Sequence, residues 1–306
     1  MKKLNFIESL SLLMLFWFVP AATSLALEIS TFPGVPIVGD IVLSPAKVEL
    51  NLEPGAKSIR YLDITNRMGS DAVFSFSVED FAPSGDSHEG VVLGKTVDGL
   101  DSSLKRYMSV NVKPFLLSHG QRARVPIEIS VPKKVASQGL YAVVLVSSSP
   151  LKNESGSTKI ITRLGSMFFV KVNGYQKELG IFESVSFHGN NIEIVFKNSG
   201  DIYLNPYGII NIYDYYSKKL VRKIDIDPWF VLPRSSRSRT IVADNLANGK
   251  YTAEIILNRG YDNMLDSRDL SFEINSSAEK RSYQPLVYVF IAVIILFLYK
   301  YLFYAK

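Results

Sequence analysis

The sequence predicts an all-β protein: two tandem immunoglobulin-like β-sandwich domains followed by one C-terminal transmembrane helix. Apolar residues alternate with polar ones along most of the chain, turn-forming residues separate these stretches, and an uncharged apolar run lies near the C-terminus. Alternation with a period of two is typical of strands that bury one face. Many short strands separated by turns are typical of a sandwich.

The N-terminus has the three-part organisation of a secretory signal peptide. Lys2 and Lys3 precede an apolar run from Ser9 to Val19, and small residues follow this run. The run is shorter than the roughly 20 residues that a spanning helix needs, so we predict that residues 1–26 are removed. Cleavage is expected after Ala26, or else after Ser24, and an uncleaved signal anchor is the alternative.

The first sandwich is predicted over residues 41–174, after an extended segment at 27–40. Its alternating stretches are Val48–Leu52, Leu62–Ile64, Phe74–Val78, Met108–Val112, Val125–Val131, Leu140–Val146 and Met167–Val172. Asn, Gly, Pro and Ser residues between them are typical of turns. Residues 148–158 are small and polar, and because a strand-like stretch follows them, we interpret them as an exposed hairpin loop within the first domain.

The second sandwich is predicted over residues 175–275. Its strand-like stretches are Leu179–Phe187, Ile192–Phe196, Tyr207–Tyr213, Lys219–Ile224, Trp229–Leu232, Arg237–Val242, Tyr251–Leu257 and Leu270–Ile274. Seven or eight strands in about one hundred residues is the number found in an immunoglobulin-like domain. A polar stalk at 276–284 then leads to the C-terminal apolar run.

That apolar run, residues 285–305, is predicted to be a transmembrane helix. Leu286 to Tyr299 contains no charged residue, and about 20 apolar residues in a helix span a bilayer. Tyr288, Lys300 and Tyr301 are the predicted anchor residues, because Tyr suits the headgroup zone and Lys extends its charge to the interface. A buried core helix is the alternative. The helix and the signal peptide together predict a single-pass protein of the cell membrane with its domains on the extracellular or periplasmic side.

Two short motifs occur in both predicted domains. A strand ending in Asn is followed closely by Gly, and a later strand opens with Gly-x-Tyr; the copies are Asn66 with Gly69, Asn198 with Gly200, Gly139 with Tyr141, and Gly249 with Tyr251. Asn and Gly tolerate positive φ, and a Tyr at a sandwich corner can bond to backbone while its ring enters the core. The repetition indicates a tandem of related sandwiches.

Several motifs resemble those of known bacterial proteins. In the first domain they are Leu43-Ser44-Pro45, Val48-Glu49-Leu50, Leu62 to Asn66 and Gly139 to Val143. This domain is similar to the immunoglobulin-like domain of periplasmic pilus chaperones and of bacterial WxL-interacting surface proteins. The second domain resembles the membrane-proximal domain of those surface proteins in Phe196 to Asp201, Leu204 to Gly208, Val231-Leu232-Pro233 and Gly249-Lys250-Tyr251. The resemblance implies a bacterial surface protein with a binding or scaffolding role.

The composition excludes several classes of chemistry. The chain contains no cysteine, which excludes disulfides, thiolate metal sites and cysteine catalysis. Its formal net charge of +5 is modest and scattered along the chain, without the basic clusters that favour nucleic-acid binding. We therefore expect no nucleic acid among its partners.

Neither the histidines nor the acidic residues predict a cofactor or metal site. The histidines lie in turn-like segments without a second ligand at metal-binding spacing: His88, His119 and His188. One acidic cluster lacks the spacing of an EF-hand and is interpreted as an ordinary loop, with calcium binding as the alternative: Asp262, Asn263, Asp266 and Asp269. No nucleophile elbow or phosphate-binding glycine loop occurs, so we expect no enzymatic activity and no small-molecule substrate.

The functional prediction is a non-enzymatic envelope protein that binds or scaffolds surface proteins or cell-wall polymer through its sandwich domains. The alternative is an assembly chaperone or accessory subunit of a pilus or export machine. Trp229, Phe230 and Tyr207 are the candidate partner contacts, because prolines on both sides of the Trp-Phe pair discourage strand pairing and Trp is favoured in binding hot spots. Burial of Trp229 in the sandwich core is the competing interpretation.

Overall fold

The computed structural model describes residues 26–88, 90–135, 139–151 and 161–275. Among them, regular structure is almost entirely β, and the one helix is a 3-10 turn at Lys105–Tyr107. This confirms the all-β class. The predicted transmembrane segment and all but the last residue of the predicted signal peptide lie outside the described residues. Within those residues, no helix is long and apolar enough to cross a membrane.

The chain divides into two compact units. Unit 1 contains the described residues up to Gly180 together with Lys197–Leu204 and Val231–Arg237, and unit 2 contains Ile181–Phe196, Asn205–Phe230 and the described residues from Ser238 onward. The predicted domain boundary after residue 174 differs from this division, because two later segments cluster with the first unit.

Unit 1 contains two main sheets. The first has the order β1-β10-β4-β2, with β8 also pairing with β10, and its strands are β1 (Glu28–Thr31), β2 (Asp40–Ser44), β4 (Lys57–Arg67), β8 (Met108–Ser109) and β10 (Gln121–Ser130). The second has the order β3-β12-β11-β5-β9, with strands β3 (Lys47–Leu52), β5 (Ala72–Glu79), β9 (Phe115–Leu117), β11 (Gly139–Pro150) and β12 (Thr162–Val172). A separate hairpin pairs β6 (Phe81–Pro83) with β7 (Val91–Leu93).

The core of unit 1 lies between these two sheets. Side chains at every second position face it, so that Leu62 of β4 lies opposite Val125 of β10 and Phe168 of β12 lies opposite Ala142 of β11. The main fully buried apolar residues from the two sheets are Leu62, Ile64, Val125, Ile127, Val144, Val146, Phe168 and Val170. Burial of this alternating set removes apolar surface from water, at roughly 25 cal/mol per Å², and stabilises the sandwich.

The strands of unit 2 also form two sheets. The order is β13-β14-β17 in one and β16-β15-β18-β19 in the other, with strands β13 (Gly180–His188), β14 (Asn191–Asn198), β15 (Tyr207–Asp214), β16 (Leu220–Ile226), β17 (Ser235–Val242), β18 (Gly249–Asn258) and β19 (Leu265–Ile274). The ends of β14 and β17 fall in segments assigned to unit 1. Buried residues of unit 2 include Ile192, Ile194, Phe196, Ile210, Ile212, Ala253, Ile255 and Leu257.

One predicted strand is absent from the structure. Trp229–Leu232 forms no strand, and Val231 makes only an isolated bridge with Leu204. The physical reason is that Pro228 and Pro233 flank this segment and cannot donate a backbone hydrogen bond to a ladder.

The repeated Asn motif forms the same buried network twice in unit 1. The Asn66 side-chain amide donates to the carbonyls of Ser70 and Leu117 at 2.9 and 2.8 Å, and its Oδ1 accepts the N–H of Met68 at 2.9 Å. Asn198 donates to Ile202 and Val231 at 2.8 and 2.9 Å and accepts from Gly200 at 2.9 Å. We call each network an Asn clasp, because one side chain joins its own turn to a distant segment.

Candidate functional site

The edge of the second sheet of unit 1 is open along half of β12. Strand β3 pairs with β12 in parallel, but only over Met167–Val172. The preceding residues, Thr162–Ser166, belong to the ladder with β11 on one side. In the described part of the chain, no strand pairs with them on the other side. An edge of this kind is a template for an added strand.

The direction of the backbone groups along this edge follows from one hydrogen bond. The Met167 N–H donates to the Ala46 carbonyl at 2.9 Å, so it points away from β11. Backbone groups alternate sides with a period of two along a strand. The N–H and C=O groups of Arg163 and Gly165 therefore face the open edge, whereas those of Leu164 face β11.

The side chains beside this edge give it one apolar face. Arg163 and Gly165 are exposed, and Leu164 is half-buried and packs against the core of unit 1. Leu43 of β2, the edge strand of the facing sheet, is also half-buried against that core, and β2 contacts β12. An added strand would thus place alternate side chains next to partly exposed leucines.

The sequence analysis did not identify this edge. The structure shows the difference in length that opens the edge, because β12 has 11 residues and the β3 strand that pairs with it has 6. That pairing is parallel and distant in sequence, and no local pattern indicates it.

The predicted partner contacts do not form one exposed aromatic surface. Trp229 is only 5% exposed, and its ring packs edge-on against Phe196 with centroids 6.4 Å apart. The prediction that Trp229 is a surface contact is therefore corrected. Its indole packs in the core, as the competing interpretation proposed. Phe230 is half-buried, and Tyr207 on β15 is 43% exposed.

The Trp229 indole has an unusual polar environment. Its Nε1 is buried and has no hydrogen-bond partner among the described residues, although its backbone N–H donates to the Pro206 carbonyl at 3.2 Å. An unpaired buried donor costs about 1–3 kcal/mol.

The predicted anchor residues Tyr288, Lys300 and Tyr301 lie outside the described residues.

The acidic cluster near the end of unit 2 forms an ion pair. Arg259 donates two hydrogen bonds to the Asp266 carboxylate, at 2.8 and 2.6 Å. These bonds from Arg259 hold the pKa of Asp266 below its ordinary value. No group of three His, Cys, Asp or Glu residues arranged to hold a metal ion is present in the described ranges.

Among solved structures, the chain is similar to pilus chaperones, with low sequence identity and low TM-scores. No family model matches the chain, and no curated protein matches it. A chaperone–tip adhesion subunit complex from the Csu pili of Acinetobacter baumannii is 13% identical with a TM-score of 0.38, over 74% of this chain and 97% of that one. The E. coli chaperone DraB is 16% identical with a TM-score of 0.35, over 77% and 98%.

A third structure, the Salmonella enterica SafB chaperone with SafA pilin, is 12% identical with a TM-score of 0.35, over 77% of this chain and 96% of that one. Scores at this level do not bear on the activity of the chain. The resemblance to WxL-interacting surface proteins stays a prediction.

Proposed function

We propose that this protein is a non-enzymatic binding protein of the cell envelope that captures an extended segment of another surface protein along the open half of β12. This is the role of an assembly chaperone or an accessory subunit. The observation that carries the proposal is the backbone edge at Thr162–Ser166, which no strand of the described residues covers and which lies next to the half-buried Leu164 and Leu43.

Strand addition uses the groups that this edge presents. Arg163 and Gly165 each offer one donor and one acceptor, and a net backbone hydrogen bond contributes about 0.5–1.5 kcal/mol. Main-chain bonds of this kind are independent of the partner's sequence, whereas alternate side chains of the partner select for apolar residues that fit beside Leu164. The edge therefore suits a partner segment with alternating apolar residues.

A substitution that removes one outward donor tests the proposal. In the full-length protein, Arg163→Pro deletes the edge-facing N–H without touching the ladder to β11, and Pro is tolerated on an edge strand. Arg163→Ala is the matched control, because it removes the same side chain, including its hydrogen bond to Ser147. The probe is a synthetic peptide of alternating Val and Thr residues.

Binding of this peptide is expected to slow amide hydrogen exchange at Arg163 and Gly165 in the wild-type protein. Arg163→Pro is expected to weaken binding about tenfold relative to Arg163→Ala, because both a hydrogen bond and close strand approach are lost. Equal affinities for the Pro and Ala variants, or unchanged exchange at the two amides, would refute strand addition at this edge.

The proposed location in the envelope rests on the predicted signal peptide and transmembrane helix. If that helix is the anchor, a chain ending near Ser277 should be released in soluble form while the full-length chain remains with membranes. Fractionation of cells expressing both chains checks this. Recovery of the shortened chain with membranes would mean that another segment or a partner holds it there.

A further inference from the structure

A shallow pocket of unit 2 combines aromatic and polar side chains. It has a volume of 370 Å³ and is lined by Tyr215, Lys250, Tyr251, Ser271, Phe272 and Glu273. Pockets of about 300–1,000 Å³ accommodate small ligands. All of its lining residues come from β18, β19 and the turn between β15 and β16.

The strands beneath this pocket carry a buried aromatic cluster on their opposite face, because neighbouring residues of a strand point to opposite faces of the sheet. Tyr251 and Phe272 are cross-strand neighbours whose rings stack with centroids 5.7 Å apart, and Phe187 packs against Phe272 at 4.3 Å. The Tyr251 and Phe272 rings are almost completely buried. Tyr215 is different, because 41% of its surface is exposed. The pocket therefore presents one accessible aromatic ring, that of Tyr215.

The turn that carries Tyr215 is held in place by several hydrogen bonds. The Tyr215 N–H donates to the Lys250 carbonyl at 3.0 Å, and the Asp214 carboxylate accepts the N–H groups of Ser217 and Tyr216 at 2.6 and 3.1 Å. Lys218 places its Nζ 4.7 Å from the centre of the Tyr215 ring. A side chain held this way loses little conformational entropy when a ligand binds.

The polar groups of the pocket carry one charge of each sign. Lys250 and Glu273 lie directly opposite each other on β18 and β19, and both are exposed. Although cross-strand neighbours of opposite charge commonly pair, no ion pair joins them in the part of the chain that the structure describes. With the Ser271 hydroxyl, they offer both donors and acceptors to a ligand.

We propose that this pocket binds a neutral saccharide. The C–H face of a pyranose ring is apolar and packs against an accessible aromatic ring, and its hydroxyl groups require both donors and acceptors. Tyr215 supplies the ring, Glu273 accepts hydrogen bonds from hydroxyls, and Lys250 donates to them. A purely apolar ligand would leave both charged groups desolvated without partners. This site is separate from the strand-addition edge of β12.

Titration of the full-length protein with a panel of neutral oligosaccharides, including chitotetraose and maltotetraose, tests the proposal, with inorganic phosphate as the anionic comparison. At least one oligosaccharide is expected to bind, and Tyr215→Ala and Glu273→Gln are each expected to weaken that binding about tenfold or more. Tyr207→Ala is the matched control, because Tyr207 is equally exposed, at 43%, but does not line the pocket.

The Tyr207→Ala control and the Arg163→Pro variant are both expected to bind the oligosaccharide as the wild type does. The Arg163→Pro result separates this site from the strand-addition proposal, since either can fail alone. Absence of binding to every oligosaccharide in the panel, tighter binding of phosphate, or an equal loss in Tyr207→Ala and Tyr215→Ala would overturn the saccharide site.

Discussion

The Gly-x-Tyr motif occurs once in each unit, and its two copies place the tyrosine hydroxyl in different environments. In unit 2, the Tyr251 hydroxyl donates to the carbonyl of Ala247, an exposed residue four positions earlier in the chain. In unit 1, Tyr141 is completely buried, and its hydroxyl accepts the N–H of Tyr203 at 3.0 Å. This burial raises the pKa of Tyr141 above its ordinary value. One sequence motif therefore makes a local bond in one unit and a distant bond in the other.

The two Asn clasps show the opposite behaviour, because both copies make the same three bonds. The bond to the residue two positions later and the bond to the carbonyl four positions later lie within the turn itself. Only the third acceptor differs, Leu117 for Asn66 and Val231 for Asn198. The Asn motif keeps its structure in both copies, because two of its three partners lie within four residues of the Asn. The Gly-x-Tyr motif does not, because its tyrosine has a single partner, which is distant in one copy.

The largest expected effect concerns the segment Trp229–Leu232, which contains the Val231 carbonyl that Asn198 binds. Trp229 lies two residues before Val231, and Trp229→Ala is expected to lower the free energy of unfolding by about 3–5 kcal/mol, because it leaves a cavity in the core. Trp229→Phe is expected to cost much less, since it also removes the unpaired indole N–H. Chemical denaturation measures both. A loss below about 1 kcal/mol for Trp229→Ala would show that the clasp alone holds this segment.

The clasps themselves provide the next test. Asn66→Ala and Asn198→Ala are each expected to cost about 1–3 kcal/mol, because each removes the three hydrogen bonds of a fully buried side chain. Asn191, an exposed residue of β14, supplies the control substitution to Ala and should be nearly neutral. Similar losses for Asn66 and Asn198 would support structural equivalence of the two turns, and a tolerated substitution at either one would contradict it.

The tyrosine comparison predicts a difference between two identical substitutions. Tyr141→Phe is expected to cost about 1–3 kcal/mol, because the buried N–H of Tyr203 loses its acceptor. Tyr251→Phe is expected to cost about 0.5–1.5 kcal/mol, because the exposed Ala247 carbonyl can bond to water instead. Thermal or chemical denaturation checks the order, and a larger loss at Tyr251 would reverse the comparison.

A further expected effect depends on pH and concerns the Arg259–Asp266 pair of unit 2. Since Arg259 lowers the pKa of Asp266 in the folded state, the pair stabilises the protein fully above the ordinary Asp pKa near 3.8, and this contribution disappears as the pH falls further. Asp266→Asn is expected to cost about 1–2 kcal/mol at pH 7 and to flatten the loss of stability below about pH 4. An unchanged acid transition in Asp266→Asn would exclude this carboxylate as a cause.

Much of the strand content followed from the sequence. Alternation predicted β14 around Ile192, Ile194 and Phe196, and all three are fully buried. Prediction failed at Trp229–Leu232, where apolar residues suggest a strand but the flanking prolines prevent a ladder. The open edge of β12 was not predicted, because it depends on where the partner strand stops.

The sequence by itself determined the all-β class and the two Asn turns, because these depend on residue alternation and on hydrogen bonds between near neighbours. The tertiary structure decided that β3 covers only half of β12, that Trp229 faces the core, and that the Tyr141 hydroxyl meets Tyr203. Each of these depends on groups far apart in sequence. Their spacing is set by the register of the sheets and the packing of the core, which local patterns do not encode.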